Sequence, residues 1–315
     1  MFKVKVIKKQ RAAEGICRFE LERVDGAPLP PFTAGAHIDV FIRPGLVRQY
    51  SLCNAPRERH QYVIAVLQDP QSRGGSVAMH TIDEGDIVEI SEPRNHFSLV
   101  DGATRSVLVA GGIGITPILS MVYQLHEDDA SFELHYCARD TARMALRDDL
   151  EALGLADRAH LYLDAEGTRI NFEQVLGQPE QGAHLYVCGP SGFIAAVLDA
   201  AKTFGWNANN VHREHFGLPQ TGTDTGGSPF TVRLARSGAS VTVMPEESIV
   251  KALARIGVEI PVSCEQGVCG TCLTRVLDGI PEHRDAYLME NEKAVNDQIL
   301  PCCSRAVSDV LVLDI

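Results

Sequence analysis

The first hundred residues form short runs in which apolar and polar positions alternate, as in β-strands. MFKVKVIKKQ alternates charged and apolar residues, and HIDVFI, RQYSLC, QYVIAVLQ and DIVEIS are rich in β-branched and aromatic residues. Prolines and glycines separate these runs, and closely spaced strands of this kind are typical of a small antiparallel barrel. We therefore predict an antiparallel β-barrel over residues 1–102.

Near residue 105 the pattern changes to continuous apolar strands that alternate with helical segments. RSVLVAGGIGITPILSMVYQL contains a strand, a glycine turn and a helix, and FELHYCAR, AHLYLD and AHLYVCGP are further strands. MALRDDLEAL and PSGFIAAVLDAAKTF have helical periodicity. Alternation of strands and helices indicates a parallel sheet covered by helices on both faces. We predict an α/β domain over residues 103–216.

The last third of the chain begins with a stretch that has almost no apolar residues. Residues 217–229, GLPQTGTDTGGSP, are predicted to be a linker. After it, FTVRLARSGASVTVMPEESIVKALARIGV predicts a strand pair and an amphipathic helix, and DVLVLDI predicts a closing strand. Residues 230–315 are thus predicted to form a third, α+β domain, which makes the chain multidomain.

Composition narrows the possible classes of function. The chain has 315 residues, is 45% hydrophobic and carries a net charge of -12. This charge argues against nucleic-acid binding, which depends on basic residues, and it can steer docking to a basic partner. No apolar run reaches the roughly 18 residues that span a bilayer, and the N-terminal run lacks the pattern of a signal peptide. We therefore expect a cytoplasmic protein without membrane segments.

The nine cysteines include one group with a recognisable spacing. Cys264, Cys269 and Cys272 follow the pattern Cys-x4-Cys-x2-Cys, and Cys302 and Cys303 come much later in the chain. This spacing matches plant-type [2Fe–2S] ligation, with either of the two later cysteines as the fourth ligand. Gly267 and Gly270 would allow the loop to turn tightly around a cluster. The alternative is a four-cysteine zinc site, but structural zinc usually takes its cysteines as two close pairs.

SCEQGVCGTC and LPCCSRA resemble the C-terminal ferredoxin domain of the phthalate dioxygenase reductase family, which includes the vanillate demethylase reductases. The family's ferredoxin domain is a plant-type, β-grasp fold. Its distal ligand is the first residue of a Cys-x-Ser-Arg-Ala motif. The resemblance therefore implies that Cys302 is the fourth ligand and that Cys303 occupies the variable position.

Two stretches of the predicted barrel resemble flavin-binding motifs. RQYSLCN is similar to the Arg-x-Tyr-Ser signature of the ferredoxin-NADP reductase superfamily. Arg48, Tyr50 and Ser51 can supply a cation for the phosphate, an aromatic wall and a hydrogen bond near flavin N5, although such residues on one strand often only pack. QSRGGSVAMH predicts a helix start, which is a natural phosphate site. The resemblance implies that FMN, in preference to FAD, has its phosphate beside Arg73, Gly74, Gly75 and Ser76.

Two stretches of the predicted α/β domain resemble the superfamily's nicotinamide-nucleotide motifs. GGIGITP differs from Gly-x-Gly-x-x-Gly but is similar to the superfamily's pyrophosphate motif. The resemblance assigns Gly111, Gly112, Gly114 and Thr116 to this site. CGP is similar to the motif beside the nicotinamide, which assigns Cys188, Gly189 and Pro190. The alternatives are an ordinary strand–glycine–helix turn and a cysteine that is simply a small buried apolar residue.

Two further residues are predicted on position alone. Asp140 follows the strand in HYCARD, where an acidic residue suits the free 2′-hydroxyl of NADH, and Arg139 beside it suits either nucleotide. The family mostly uses NADH, so we predict NADH. Phe216, in VHREHFG, matches the position of an aromatic residue that covers the flavin in simpler superfamily members.

Together, the resemblance implies a reductase that moves electrons from NADH through FMN to a [2Fe–2S] cluster. Chemistry of this kind belongs to the cofactors, so no separate catalytic side chain is predicted. The implied partner is the terminal component of a two-component Rieske-type oxygenase or demethylase that acts on an aromatic or related compound. The alternative is a stand-alone NADH-dependent flavoenzyme that reduces small acceptors such as ferric chelates. A non-enzymatic iron–sulfur sensor would not need the nucleotide motifs.

Overall fold

The computed structural model describes residues 1–69, 74–155, 157–217 and 227–315. The chain forms two compact units, Met1–Glu214 and His215–Ile315, which are described separately below. Arg73 and most of the predicted linker lie outside the described residues. Among the helices of the described ranges, none combines the length and apolar character needed to span a bilayer.

The first unit begins with a six-stranded antiparallel sheet that closes on itself. Its elements are β1 (Phe2–Ala13), β2 (Ile16–Arg23), β3 (His37–Arg43), β4 (Leu46–Ser51), β5 (Tyr62–Leu67), α1 (Gly75–His80) and β6 (Ile87–Ile90). The strand order is β4-β3-β6-β1-β2-β5. The residues after β4 bind the outer edge of β5, since the Cys53 N–H donates to the Val63 carbonyl at 2.9 Å and Asn54 Oδ1 accepts from the Val63 N–H at 3.0 Å. The predicted antiparallel barrel is confirmed.

One strand of the barrel, β2, was not among the predicted strands. Its buried positions do not alternate regularly, because half-buried residues follow one another between Ile16 and Phe19. Its two faces pack into different cores, since Ile16 belongs to a cluster that includes residues of the parallel sheet, whereas Phe19 and Leu21 belong to the barrel core. A strand that is buried on both faces lacks the two-residue alternation on which a strand prediction depends.

The second part of this unit is a five-stranded parallel sheet. Its elements are β7 (Arg105–Gly111), α2 (Ile115–Glu127), β8 (Phe132–Ala138), α3 (Arg147–Ala152), β9 (Ala159–Leu163), α4 (Phe172–Leu176), β10 (Ala183–Cys188), α5 (Ser191–Thr203) and β11 (Val211–Glu214). The order is β11-β10-β7-β8-β9, so the chain runs outward from β7 in one direction and then returns to its other side. Ligands of such sheets bind where the order reverses, outside the carboxyl ends of the central strands. Here that place lies beyond β7 and β10.

Helices cover both faces of the parallel sheet, as predicted. Apolar residues of α2 pack with Leu108, Leu134 and Tyr186, whereas those of α5 pack with Val107 and Leu185 on the opposite face. The cluster on the α2 face also includes barrel residues, among them Ala34, Cys53 and Phe97. The barrel and the parallel sheet therefore share a hydrophobic core within one compact unit. The short elements α4 and β11 were not predicted from the sequence.

The second unit consists of a mixed sheet and two short helices. Its elements are β12 (Phe230–Leu234), β13 (Ser240–Val243), α6 (Ile249–Arg255), β14 (Thr274–Asp278), β15 (Pro281–Glu282), α7 (Glu290–Val295), β16 (Gln298–Ile299), β17 (Arg305–Ala306) and β18 (Val310–Leu313). The main sheet has the order β13-β12-β18-β14-β16, with β12 parallel to β18, and β15 pairs with β17. Residues 256–273 connect α6 to β14 and contain the three closely spaced cysteines. The predicted ferredoxin fold is confirmed.

Candidate functional site

The two predicted flavin motifs meet on the barrel. The side chain of Arg48, on β4, packs so closely against Gly75, at the start of α1, that a Cβ on Gly75 would collide with it. Gly74, the residue before α1, has a φ of +89°, which favours glycine. The Arg48 guanidinium also donates to the Val47 carbonyl at 2.7 Å. A cation therefore lies beside the backbone at the start of α1, which suits a phosphate group.

The surroundings of this site add one residue that the sequence motifs do not include. A Cβ on Gly74 would lie 4.0 Å from Nη2 of Arg43, so a second guanidinium approaches the same turn. The Ser76 hydroxyl accepts a hydrogen bond from the Asp69 N–H at 3.1 Å, and its own O–H can still donate. Because α1 has only six residues, its dipole is small and the two arginines dominate the local charge.

Tyr50 and Ser51 are the last two residues of β4. Tyr50 packs against the barrel core, and burial raises the pKa of its hydroxyl, whereas nearby Arg48 lowers it. Tyr50 is therefore a neutral aromatic surface at physiological pH. Ser51 is buried, and its hydroxyl is hydrogen-bonded to the carboxyl group of Glu214.

Replacing Arg48 with alanine is expected to weaken flavin binding about 10- to 100-fold, because a charge-assisted hydrogen bond contributes roughly 1.5–3 kcal/mol. The flavin dissociation constant, measured by fluorescence titration of the apoprotein, checks this. Arg11→Ala, which removes an exposed arginine of β1, is the control and should leave the constant unchanged. Equal affinity in wild-type protein and Arg48→Ala would show that the phosphate lies elsewhere.

The two predicted nucleotide motifs are in direct contact at the carboxyl ends of β7 and β10. A Cβ on Gly114 would collide with the Cys188 carbonyl, and one on Gly189 would lie 3.1 Å from the Gly111 Cα. These three glycines are therefore required because the two loops touch each other. Gly112 differs, since its φ is +55° and a Cβ there would meet no atom within 4 Å. It leaves the backbone open at the place where this sheet topology binds ligands.

Other residues of these loops have contacts within the protein. The buried hydroxyl of Thr116 donates to the Ile113 carbonyl at 3.1 Å and so shapes the turn, and its contact with a phosphate stays a prediction. Pro190 is the residue before α5. The ring of Phe193 lies 2.8 Å and 2.9 Å from the Cβ positions of Gly111 and Gly189. Phe193 was not predicted, although it stands three residues after Pro190 in the motif.

Asp140 lies just beyond β8 in a network of charged side chains. Its carboxylate accepts a hydrogen bond from the Arg143 N–H at 3.0 Å and forms an ion pair with the Arg143 guanidinium. The same guanidinium contacts Glu14 at 2.8 Å. Arg143 is thus neutralised by two carboxylates, and Arg139 is exposed to solvent. The interaction of Asp140 with a ribose stays a prediction.

Glu214 connects the flavin motif with the nicotinamide motif. It pairs with Cys188 across β10 and β11, and its carboxyl group accepts a hydrogen bond from Ser51. Glu214 is half-buried as a residue, but its Oε2 is inaccessible and has no hydrogen-bond partner among the described residues. Burial raises the pKa of Glu214 to about 8, although the bond from Ser51 lowers it. The pKa of the fully buried Cys188 thiol is also raised. Burial is the larger cause, and the electrostatic interaction with Glu214 is the second.

The sequence analysis did not identify Glu214, although the signal was present in VHREHFG. A carboxylate at the carboxyl end of a parallel strand is a candidate functional group, because ligands of such sheets bind at that end. At neutral pH this carboxyl group holds a proton between Ser51 and Cys188, at the junction of the two motifs. It can therefore hold or release a proton there.

Glu214→Gln is expected to make the first unit more stable than wild type as pH rises from 6 to 9. The raised pKa means that the folded protein favours the neutral carboxyl group. The contribution of Glu214 to stability is therefore complete below about pH 4.5 and is lost as pH rises to about 8. The difference should grow by about 1.4 kcal/mol per pH unit between about pH 4.5 and 8 and stay constant above that. The denaturant midpoint of flavin release checks this, with the exposed Glu22→Gln as control. Parallel pH profiles of wild-type protein and Glu214→Gln would contradict the prediction.

The second unit brings the predicted cluster ligands together. The Cys264 thiol contacts those of Cys269 and Cys302, and Cys302 also contacts Cys272. Cys269 and Cys272 are buried. The Gln266 N–H donates to Cys264 Sγ at 3.3 Å, as expected for a loop whose amides point at sulfur. Among the described residues, no group of three or more His, Cys, Asp or Glu is arranged for a single metal ion. Four thiols in two linked pairs suit a binuclear cluster.

The two glycines of this loop adopt the predicted left-handed conformation. Gly267 has a φ of +72° and Gly270 a φ of +70°. Each also faces a close neighbour, because a Cβ on Gly267 would collide with Cys303 Sγ and one on Gly270 with the Tyr287 ring. Any other residue would therefore strain the backbone and displace these neighbours.

Cys302 and Cys303 have different surroundings. Cys302 contacts two other predicted ligands, Cys264 and Cys272, in addition to Cys303. Cys303 Sγ lies against Gly267 and contacts the Leu300 carbonyl oxygen at 3.7 Å. These contacts favour Cys302 as the fourth ligand, which stays a prediction.

The arginine of the Cys-x-Ser-Arg-Ala motif has a structural role. Arg305 is buried, and its Nη1 donates to the carbonyls of Met244, Pro245 and Glu247 at 3.0–3.2 Å. Its guanidinium lies 5.0 Å from the centre of the Phe230 ring. One side chain thus ties the turn before α6 to the segment that follows Cys302.

Three features define the class of this protein. They are a barrel with a cationic flavin motif, a parallel sheet with a glycine-lined crevice, and a ferredoxin-type unit with four clustered cysteines. Together they are the features of flavin- and nucleotide-dependent iron–sulfur reductases. Comparison with family models agrees with this class. Residues 232–307 match the 2Fe-2S iron-sulfur cluster binding domain. Residues 91–211 match the N-terminal domain of dimethylamine monooxygenase subunit DmmA-like proteins.

Known proteins resemble the chain over its whole length. It is 50% identical to the vanillate O-demethylase oxidoreductase of Pseudomonas putida, over 98% of both chains. It is 42% identical to the phthalate dioxygenase reductase of Burkholderia cepacia, over 99% of this chain and 97% of that one. The chain belongs to the family of phthalate dioxygenase and vanillate O-demethylase reductases.

Solved structures support the same assignment. A phthalate dioxygenase reductase, described as a modular structure for electron transfer from pyridine nucleotides to [2Fe–2S], has a TM-score of 0.74 and 41% identity, over 100% of this chain and 98% of that one. An intact type IV self-sufficient cytochrome P450 monooxygenase has a TM-score of 0.89 and 36% identity, over 100% of this chain and 41% of that one.

Family membership confirms the coarse predictions made from sequence. The chain is an oxidoreductase of the kind that serves as the reductase component of an oxygenase system. The prediction of FMN, a nicotinamide nucleotide and a [2Fe–2S] cluster as the cofactors of this family is confirmed. An oxygenase partner is supported as well. The individual site residues and the domain boundaries stay predictions.

Proposed function

We propose that this protein takes electrons from NADH and delivers them singly to the terminal component of a Rieske-type oxygenase or demethylase. The observation that carries the proposal is the separation of the two kinds of site. Ser51, Cys188 and Glu214 meet in the first unit, whereas all four proposed cluster ligands lie in the second. Three relatives with 44–50% identity are vanillate O-demethylase oxidoreductases, which supports a demethylase partner.

The residues of the first unit would bind and orient the two cofactors. Arg48, with Arg43 nearby, would neutralise the FMN phosphate, and Tyr50 would line the flavin ring. The chemistry supplied by a bound flavin is acceptance of a hydride and release of single electrons. Ser51 and Glu214 would control the proton beside the flavin, since Glu214 is hydrogen-bonded to Ser51 and holds a proton near neutral pH. Phe216 is exposed and belongs to the second unit, so its contact with the flavin stays a prediction.

Charges near the end of β8 support NADH as the electron donor. A 2′-phosphate requires an available cation, and Arg143 is already paired with Asp140 and Glu14. An exposed Arg139 remains, but it stands directly before Asp140. The acidic surroundings therefore favour a free 2′-hydroxyl. We also propose a cytoplasmic location, which is supported by nine cysteines without a disulfide.

Steady-state kinetics of the purified protein test the proposal. Ferricyanide reduction is expected to show a kcat/KM for NADH about 10- to 100-fold above that for NADPH. This ratio corresponds to the free energy of one charge-assisted hydrogen bond, which the 2′-phosphate of NADPH would lack. With a purified vanillate demethylase oxygenase component, the protein should support demethylation that depends on NADH. Equal use of both nucleotides would contradict the choice of NADH. Rapid reduction of ferric chelates without any oxygenase turnover would favour the stand-alone flavoenzyme.

A further inference from the structure

The proposed cluster takes its ligands from two segments that are far apart in sequence, 264–272 and 302. A third segment, residues 285–288, connects them, and we call it the strap. The strap follows β15 and packs over the cysteine loop, with the Tyr287 ring against Gly270. Leu288 and Leu300 are buried together with Cys272. The strap is thus placed to control the distance between the two ligand segments.

The first residue of the strap, Asp285, is a fully buried carboxylate. Its Oδ2 accepts a hydrogen bond from the Leu288 N–H at 2.8 Å, which closes the local turn. Its Oδ1 accepts one from the Ser304 hydroxyl at 3.4 Å, and Nδ1 of His283 lies 3.6 Å from that oxygen. The side chain of Asp285 has no solvent exposure. Burial of a carboxylate is costly without such partners, so these contacts are what hold it there.

Asp285 is connected to both ligand segments. On one side, the N–H of Ala286 donates to the Gly267 carbonyl at 3.0 Å, and the Asp285 Cβ lies 3.0 Å from the Cβ position of Gly267. On the other side, Asp285 binds Ser304, which stands two residues after Cys302. The Ser304 hydroxyl also accepts from the Arg284 N–H at 3.2 Å, so it joins the strap at two points.

We propose that Asp285, through Ser304, is a positioning residue that holds the three-cysteine loop and the Cys302 segment at the separation a [2Fe–2S] cluster requires. The proposal rests on the proposed function, since it takes the four cysteines as the cluster ligands. It explains why the serine of the Cys-x-Ser-Arg-Ala motif stands where it does. It also gives the buried Asp285 a role beyond its local turn.

The test uses full-length protein with Asp285→Ala, Ser304→Ala and the double variant. Asp309→Ala is the matched control, because Asp309 is an exposed acid of the same unit. Loss of the cluster to an iron chelator is followed by visible absorbance. Each single variant is expected to lose the cluster about tenfold faster than wild type, because the truncation leaves a buried polar group without its hydrogen-bond partner. The electron paramagnetic resonance spectrum of the reduced cluster should change in the single variants and not in the control.

The double variant decides whether the two residues act as one link. If they do, the rate of cluster loss in the double variant, relative to wild type, is smaller than the product of the relative rates of the two single variants. Multiplicative effects, or a Ser304→Ala variant identical to wild type, would overturn the proposal and leave Asp285 as a local turn residue. A wild-type protein without iron would instead refute the proposed function itself. NADH oxidation with ferricyanide should be unchanged in all variants.

Discussion

Replacement of Cys302 with serine is expected to reduce bound iron and sulfide to a small fraction of the wild-type content, whereas Cys303→Ser is expected to keep both. Iron in such clusters is held by thiolates, and Cys302 is the thiol that contacts Cys264 and Cys272. Cys303 points its sulfur at Gly267 and Leu300. Chemical analysis of iron and sulfide in the purified variants measures the effect.

The two cysteines control for each other, because they are adjacent and both substitutions change one sulfur to oxygen. Flavin content should be equal in the two variants and in wild type, since Arg48, Tyr50 and Ser51 lie in the first unit. Normal iron in Cys302→Ser together with loss in Cys303→Ser would reverse the assignment. Loss in both would mean that Cys303 is needed to pack the cysteine loop.

A protein that ends at Gly217 is expected to be a folded, yellow NADH oxidase that reduces ferricyanide at nearly the full-length rate. It should reduce cytochrome c, and support an oxygenase, only at near background rates. The described hydrophobic clusters of the first unit use residues before Glu214, and those of the second use residues from Phe230 onward. The truncation therefore leaves the core of the first unit intact. It removes all four proposed cluster ligands. The ratio of the two activities in truncated and full-length protein is the measurement.

Full-length Cys302→Ser is the matched control for the truncation, because it should lose the cluster without losing the second unit. The two proteins are expected to show the same activity ratio. Equal loss of both activities on truncation would show that the second unit is structurally required by the first. Retention of both activities would show that electrons leave from the flavin, and that the cluster is not the exit.

Several features of the fold could be predicted because they depend on neighbours in sequence. The two-residue alternation in HIDVFI and the strand–glycine–helix order around Gly111 are local patterns, and both elements formed where expected. β2 was not predicted, because Ile16 on one face and Phe19 and Leu21 on the other are all buried, which disturbs the alternation. Burial of both faces follows from packing between the barrel and the parallel sheet, and periodicity within one strand does not report it.

The candidate sites divide in the same way. The spacing of Cys264, Cys269 and Cys272 pointed to a cluster, since one loop carries three ligands. Glu214 and Phe193 were not recognised, because their relevance depends on contacts with distant residues. Glu214 contacts Ser51, and Phe193 contacts Gly111. These partners are separated by many residues along the chain. Only the closed barrel and the β7–β10 crevice bring them together.

The sequence by itself determined the order of the three kinds of fold, the class of cofactors and the set of cysteines from which the ligands come. These properties depend on short motifs whose chemistry does not depend on the rest of the chain. The tertiary structure decided which neighbours those motifs have. It placed Gly114 against Cys188, a proton-holding Glu214 between two motifs, and Asp285 between the two ligand segments. The physical reason is that burial, pKa and close packing arise from contacts between residues that are distant in sequence.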